Sequence, residues 1–335
     1  MLSSPRMLSS PRMRGSKFDS RMRGDDEASR SAEGSQVKPP RHGFFVHLRR
    51  AQNDAVVFFE MIKFEHTVFA LPFAYLGYIL GNDGRIRLRE LVLVTAAMVS
   101  ARTAGMCLNR LVDRRIDARN PRTQARALVT GRIAPRTAAF AALAGLGGLL
   151  GSAALLNPLC FALSPLAVLL LTGYHYLKRF TAFSHLGIGL VLASAPLGGW
   201  AAARGSLEGP AFLLGAAVLF WVAGFDIYYS LQDEAFDRGA GLHSLPARWG
   251  GERAVGIARL FHGLTLLFLT ALGIMLSLNW IYWLGLLAAA AVLSAETVLM
   301  RKRDLKSVGT AFFTMNGILS CGYLAATTLA VWVRQ

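Results

Sequence analysis

Leu91-Val-Leu-Val-Thr-Ala-Ala-Met-Val-Ser-Ala-Arg102-Thr-Ala-Gly-Met-Cys-Leu-Asn109-Arg-Leu-Val-Asp113-Arg-Arg-Ile-Asp117 is an apolar run that ends in carboxylates. A second apolar run ends the same way, at Asp226-Ile-Tyr-Tyr-Ser-Leu-Gln-Asp233-Glu-Ala-Phe-Asp237. About twenty apolar residues in a helix cross a ~30 Å hydrocarbon core, so both acidic segments sit at the ends of membrane spans. On a helix, residues spaced by four share a face about 6 Å apart. Asn109, Asp113 and Asp117 therefore form one ladder and Asp233 and Asp237 a second, with Asp226 upstream on the same face.

Working outward, the 335 residues are 53% hydrophobic and only 17% charged, with a mean hydropathy of +0.40. That is too apolar for an ordinary soluble domain and predicts an all-α, polytopic membrane protein. Nine spans are expected, at roughly 66–81, 90–109, 137–156, 159–177, 184–203, 211–230, 255–278, 280–300 and 311–333. The seventh and eighth are separated only by Leu278, Asn279 and Trp280.

Positive charge is retained on the cytoplasmic side of a membrane. Basic residues cluster after the second, fourth, sixth and eighth spans: Arg110 to Arg136, Lys178-Arg179, Arg238 to Arg253, and Arg301 to Lys306. Arg85, Arg87 and Arg89 run against this pattern, but the balance places the N-terminus and both aspartate ladders in the cytoplasm. The net charge of +16 lies in membrane-proximal loops and an N-terminal tail, so attraction to anionic lipid accounts for it and no nucleic-acid partner is expected. Cys107, Cys160 and Cys321 all fall within spans, which argues against a disulfide framework or a zinc site.

Residues 1–55 form a separate segment, rich in Ser, Arg, Gly and Pro, with Met-Leu-Ser-Ser-Pro-Arg twice in the first twelve positions. Such a composition cannot bury a core, and a disordered basic tail without catalytic role is expected, followed by a nine-helix domain over 56–335.

Like charges on one helix face repel, and a chain that repeats them twice at one membrane surface has a cation to bind. Hard oxygen ligands in small number, with room for phosphate oxygens, describe Mg²⁺ holding a diphosphate substrate. Asn109, Asp113, Asp117, Asp233 and Asp237 are the expected metal ligands. Lys178 and Arg179, with Arg114, Arg122 and Arg126 from the following loop, are placed to neutralise the diphosphate. Tyr229 has a better phase with Asp226 and Asp233 than Tyr228, so Tyr229 and Asp226 are expected at the substrate. Arg102 lies seven residues before Asn109, on the same face and ~10 Å deeper by helix rise. A membrane-buried arginine calls for an anionic partner, either a helix carboxylate or the carboxylate of an aromatic acid.

These segments, with Asn120-Pro-Arg-Thr, Leu128-Val-Thr-Gly-Arg132, Tyr176-Leu-Lys-Arg179 and Gly241-Leu-His-Ser-Leu-Pro-Ala-Arg-Trp-Gly250, resemble the signature of the UbiA family of intramembrane prenyltransferases. They are most similar to its 4-hydroxybenzoate polyprenyltransferase branch, including menaquinone-pathway relatives, and the match runs from about Lys63 to the C-terminus. The resemblance implies a helical bundle around a central cavity with a cytoplasmic polar cap, in a bacterial inner membrane. It implies Mg²⁺ as cofactor, a polyprenyl diphosphate donor and an aromatic acid acceptor in ubiquinone or menaquinone biosynthesis, with Asp113, Asp117, Asp233 and Asp237 as catalytic residues. It also favours the aromatic-acid reading of Arg102. Acceptors such as 1,4-dihydroxy-2-naphthoate, homogentisate or haem stay open within the family.

Other classes fit less well. The D-G-x-x-A-R signature of CDP-alcohol phosphotransferases is absent, and nine spans exclude a soluble chain-elongating prenyl synthase. A transporter would bury its charges near the membrane midplane, whereas these ladders lie at one surface.

Overall fold

Backbone in hydrocarbon has no water to bond and must satisfy itself within helices. The computed structural model describes residues 54–63, 67–301 and 305–334, and among them there are helices and turns with no strand. A short helix covers 54–62, so Asp54 and Ala55 are already ordered, and the rest of the expected 1–55 tail lies outside the described residues. The elements that follow are α1 Thr67–Gly81, α2 Leu88–Val112, α3 Arg114–Asp117, α4 Pro135–Leu156, α5 Pro158–Leu177 and α6 Ser184–Arg204. Next come α7 Gly209–Ser230, a 3-10 turn Leu231–Asp233, α8 Glu234–Gly239, α9 Leu245–Trp249, α10 Gly251–Met275, α11 Trp280–Arg301 and α12 Leu305–Arg334. Among the described residues, eight helices are long and apolar enough to cross a membrane; α1, the remaining expected span, is shorter at 15 residues.

Local chemistry sets many of these ends. Proline opens α4 and α5 at the first helical position, where its missing N–H costs nothing. The Asn157 side chain caps α5 by accepting from the Cys160 backbone N–H at 2.9 Å. Gly205, at φ 69°, ends α6 in the left-handed conformation that glycine adopts without strain. The expected seventh span is corrected here: it stops at Met275 rather than near 278, because Ser277 takes φ 49° and the Leu278 N–H turns back to the Gly273 carbonyl at 2.9 Å.

The long helices pack neighbour to neighbour in the order α1, α2, α4, α5, α6, α7, α10, α11 and α12, and α12 returns to α1. Large apolar side chains such as Phe140, Leu169, Leu267 and Leu287 point outward, as lipid contact allows. At the end of the bundle away from the ladders, the arginines that broke the charge pattern are engaged locally. Arg87 pairs with Glu90 at 2.9 Å and Arg89 donates to the Leu155 carbonyl at 2.6 Å.

One contact pinches the ring. α1 and α6 touch backbone to backbone: a Cβ on Gly77 would lie 2.1 Å from the Pro196 carbonyl oxygen, and one on Gly199 only 2.0 Å from that of Ala74. Small residues permit this approach, and between membrane helices packing of that kind replaces the hydrophobic drive available in water.

Gly77→Ala and Gly199→Ala should each destabilise the detergent-solubilised protein by about 1–3 kcal/mol through overpacking. Gly147→Ala, whose Cβ meets no atom within 4 Å, should be neutral or slightly stabilising. Thermal unfolding of the purified variants reads this out, and equal midpoints for all of them would contradict the packing described.

Candidate active site

The last turns of α2, α5 and α7 and the polar segments after them surround a cavity of about 740 Å³. Charged side chains line it where these helices end, while Phe73, Leu192, Trp221 and Val222 give it an apolar wall.

The first ladder is not one unbroken helix. α2 stops at Val112, and Asp113 takes φ −92°, ψ 2° before α3 begins. Hydrogen bonds four residues apart nevertheless cross the joint, from the Asp113 N–H to the Asn109 carbonyl at 3.0 Å and from the Asp117 N–H to the Asp113 carbonyl at 2.8 Å. Asn109, Asp113 and Asp117 therefore still face one cavity. The second ladder is also jointed. A 3-10 turn at Leu231–Asp233, winding three residues per turn instead of 3.6, follows the end of α7, and Asp226 and Asp233 both line the cavity. Asp226 turns toward α6, where its Oδ2 lies 2.7 Å from His185 Nδ1. The Leu245 N–H donates to His185 Nε2 at 3.3 Å, which leaves the ring proton on Nδ1 to be donated to Asp226.

The repulsion among the carboxylates is answered by the chain's own cations. Lys178 Nζ reaches Asp113 Oδ2 at 2.7 Å, with Arg179 Nη2 3.5 Å from Oδ1. Arg126 Nη1 donates to Asp117 at 2.6 Å. Arg122 grips Asp233 with two nitrogens, Nε to Oδ1 at 2.9 Å and Nη2 to Oδ2, and Asn120 Nδ2 adds a third donor at 3.0 Å. Burial alone would lower the Arg122 pKa, but these bonds to Asp233 outweigh it and raise the value, so the guanidinium stays charged. Arg122 Nη1 also donates to the Tyr229 hydroxyl at 2.9 Å, and its Cζ lies 5.2 Å from the centre of that ring. Tyr229 thus belongs to the cavity, whereas Tyr228 is buried with its hydroxyl 3.1 Å from Thr297. Arg179 is held by the Val112 carbonyl at 2.8 Å. Arg114 is exposed and does not line the cavity.

Asp237 also lines the cavity, with the Ser244 hydroxyl against it. In this arrangement no three His, Cys, Asp or Glu side chains among the described residues converge closely enough to hold an ion by themselves. The donor set still suits Mg²⁺. It consists of oxygens facing one cavity, and Asp113 Oδ1 is buried without a hydrogen bond. An ion that keeps water and phosphate oxygens in its own shell needs few protein ligands.

Arg102 lines the same cavity from within α2. Its Nε is buried without a hydrogen-bond partner, and among the described residues no carboxylate forms an ion pair with it. His175 and His185 were not anticipated. His175 lines the cavity with Nδ1 3.5 Å from Asn109 Nδ2, and a histidine inside an apolar run was the available signal for both.

Residues 70–318 match the UbiA prenyltransferase family. The 4-hydroxybenzoate octaprenyltransferase of Azotobacter vinelandii is 34% identical over 233 residues, covering 69% of this chain and 78% of the relative. That of Pseudomonas entomophila is 35% identical over 237 residues, covering 70% and 79%. Among solved structures, a UbiA homolog from Aeropyrum pernix K1 superposes with a TM-score of 0.73 at 35% identity, over 78% of this chain and 96% of the other. A UbiA homolog from Archaeoglobus fulgidus bound to GPP and Mg²⁺ shares the fold, with a TM-score of 0.65 at 22% identity over 82% and 99%. The chain belongs to the UbiA prenyltransferase family and is a multi-pass membrane enzyme of prenyl transfer.

Proposed function

We propose that this enzyme transfers a polyprenyl group from a polyprenyl diphosphate to 4-hydroxybenzoate or a closely related aromatic acid, for quinone biosynthesis, with its site facing the cytoplasm of a bacterial inner membrane. The observation that carries the acceptor assignment is Arg102, whose Nε is buried and which has no carboxylate partner among the described residues, in the same cavity as the acidic ladders. A carboxylate on the acceptor's ring matches its fork of donors. The relatives named as 4-hydroxybenzoate octaprenyltransferases support the same reading.

Asn109, Asp113, Asp117, Asp233 and Asp237 would hold Mg²⁺, which when bound supplies positive charge to a departing diphosphate. Lys178, Arg179, Arg122 and Arg126 are already at the carboxylates and need only turn to take up the diphosphate oxygens. That exchange keeps the cap near neutrality before and after substrate binds. As the C1–O bond of the donor breaks, these cations stabilise the leaving group. Phe73, Trp221 and Val222 keep water from the allylic cation while the ring carbon ortho to the phenol attacks it. Asp226, held by the His185 Nδ1–H rather than by a lysine or arginine, accepts the ring proton.

Membranes containing the protein, given Mg²⁺, a long prenyl diphosphate and a panel of aromatic acceptors, should yield prenylated 4-hydroxybenzoate by mass spectrometry. Chelation should abolish the product and Mg²⁺ restore it. Alanine at Asp113, Asp117, Asp233 or Asp237 should lower kcat by about two orders of magnitude or more, as loss of transition-state charge stabilisation does. Full activity in excess chelator would sink the mechanism.

The two kinds of cation should separate kinetically. Lys178→Met should raise the KM for the prenyl diphosphate by about tenfold, the scale of one charged hydrogen bond, and leave the acceptor's KM nearly unchanged. Arg102→Lys, which keeps the charge but loses the fork, should do the reverse, and Arg102→Ala should be worse. Normal prenylation of 4-hydroxybenzoate by both Arg102 variants would remove the acceptor assignment while leaving prenyl transfer intact.

A further inference from the structure

The short helix 54–62 precedes the segment that matches the family, and no step above uses it. A helix of that length does not hold itself together in water, so its order comes from what it touches. Met61 and Ile62 are 5% and 3% exposed and share an apolar cluster with Cys107 of α2, Leu128 and Ile133 of the loop after α3, and Ala138 of α4. Its end is fixed as well. The Lys63 N–H donates to the Glu60 carbonyl at 3.2 Å, and Lys63 takes φ 51°, a left-handed conformation that a lysine keeps only where its surroundings impose it.

Val57, Glu60 and Met61 share one face of this helix, and all three line the reaction cavity, with Lys63 after them. Arg110, in the last turn of α2, lines it too and is 7% exposed. Its Nε donates to the Met61 carbonyl at 3.4 Å, which ties the membrane bundle to the short helix. The acceptor is a carbonyl of the helix's last turn, where no intrahelical N–H is left to meet it. Val57 and Met61 thus bring apolar surface to the charged end of the cavity, as Phe73 and Trp221 do elsewhere in its wall. A cap that admits a charged donor needs such surface, because the allylic cation must stay dry. We propose that helix 54–62 is a wall of the active site, clamped by Arg110 as a positioning residue, and that it keeps water from the allylic cation during transfer. Where the wall fails, a water oxygen bonds to C1 in place of the ring carbon, its proton passes to solvent, diphosphate leaves as before, and the product is the prenyl alcohol. The inference rests on the prenyl-transfer reading of the cavity.

Arg110 is also close enough to Asp117 to feel its charge, so the position of the helix and the fate of the prenyl group are read separately. In purified full-length enzyme, a hydrophilic maleimide should label Met61→Cys about tenfold more slowly than Ala240→Cys, an exposed position, with peptide mass spectrometry telling both from Cys321. Adding Arg110→Met to Met61→Cys should speed that labelling by about tenfold, the scale of one hydrogen bond from a charged group. In membranes given Mg²⁺, a prenyl diphosphate and 4-hydroxybenzoate, Arg110→Met alone should raise the share of prenyl alcohol among the products several-fold over the unaltered enzyme. Met61→Cys as reactive as Ala240→Cys, or labelled no faster after Arg110→Met, would overturn the proposal, as would faster labelling without more prenyl alcohol. More alcohol with labelling unchanged would also overturn it and place the effect of Arg110 at Asp117. If Arg110→Met fails to insert, Ile62→Ala, which loosens the same helix without removing a charge, is judged by the same two readings. If the unaltered enzyme prenylates no aromatic acid, the functional reading fails, while labelling, which needs no substrate, still decides whether Arg110 holds the helix.

Discussion

The structure depends on the pairing of three of the four ladder carboxylates with basic side chains from other parts of the chain, at the edge of a low-dielectric bundle. Asp113 draws Lys178 from the end of α5, Asp117 draws Arg126, and Asp233 draws Arg122 from the loop between α3 and α4. Without such partners, these acids would repel one another and lose hydration beside the membrane, which is costly for any unpaired charge. The pairs also tie the two acidic segments together, because Asn120 and Arg122 follow the first ladder and both donate to an acid of the second. The cavity's cap is thus an electrostatic assembly of segments distant in sequence.

The same cations suit the chemistry. In the proposed reaction the three ladder acids that face protein cations would face bound ions instead, leaving the protein cations free to meet phosphate. Asp226 stands outside this exchange, since its partner is a histidine whose other nitrogen is occupied by a backbone N–H. Such a division between exchanged acids and a histidine-held acid would let a single cavity serve both departure of the diphosphate and removal of a proton.

Below the cap, the ring is closed by contacts of a different kind. Gly77 and Gly199 bring α1 and α6 together at backbone distance. α11 and α12 are joined by buried polar contacts, with Tyr323 donating to the Tyr282 hydroxyl at 2.6 Å and Asn316 bonded to Glu296. Such bonds persist because no water is present to compete for the groups.

Hydropathy and charge determined by themselves that this chain is an all-helical membrane protein with acidic ladders at the ends of two spans, because a span needs only a run of apolar residues and a ladder only a four-residue spacing. The spans at α2, α4 to α7 and α10 to α12 follow from that local arithmetic. Which base meets which acid was not legible, since Lys178 and Asp113 are 65 residues apart and Arg122 and Asp233 are 111 apart. The exposure of Arg114, the 3-10 turn within the second ladder, the His185 tautomer and the Glu296–Asn316 bond were likewise decided only by the tertiary structure. Each depends on where a second helix lies, and helix period carries no information about distance between helices.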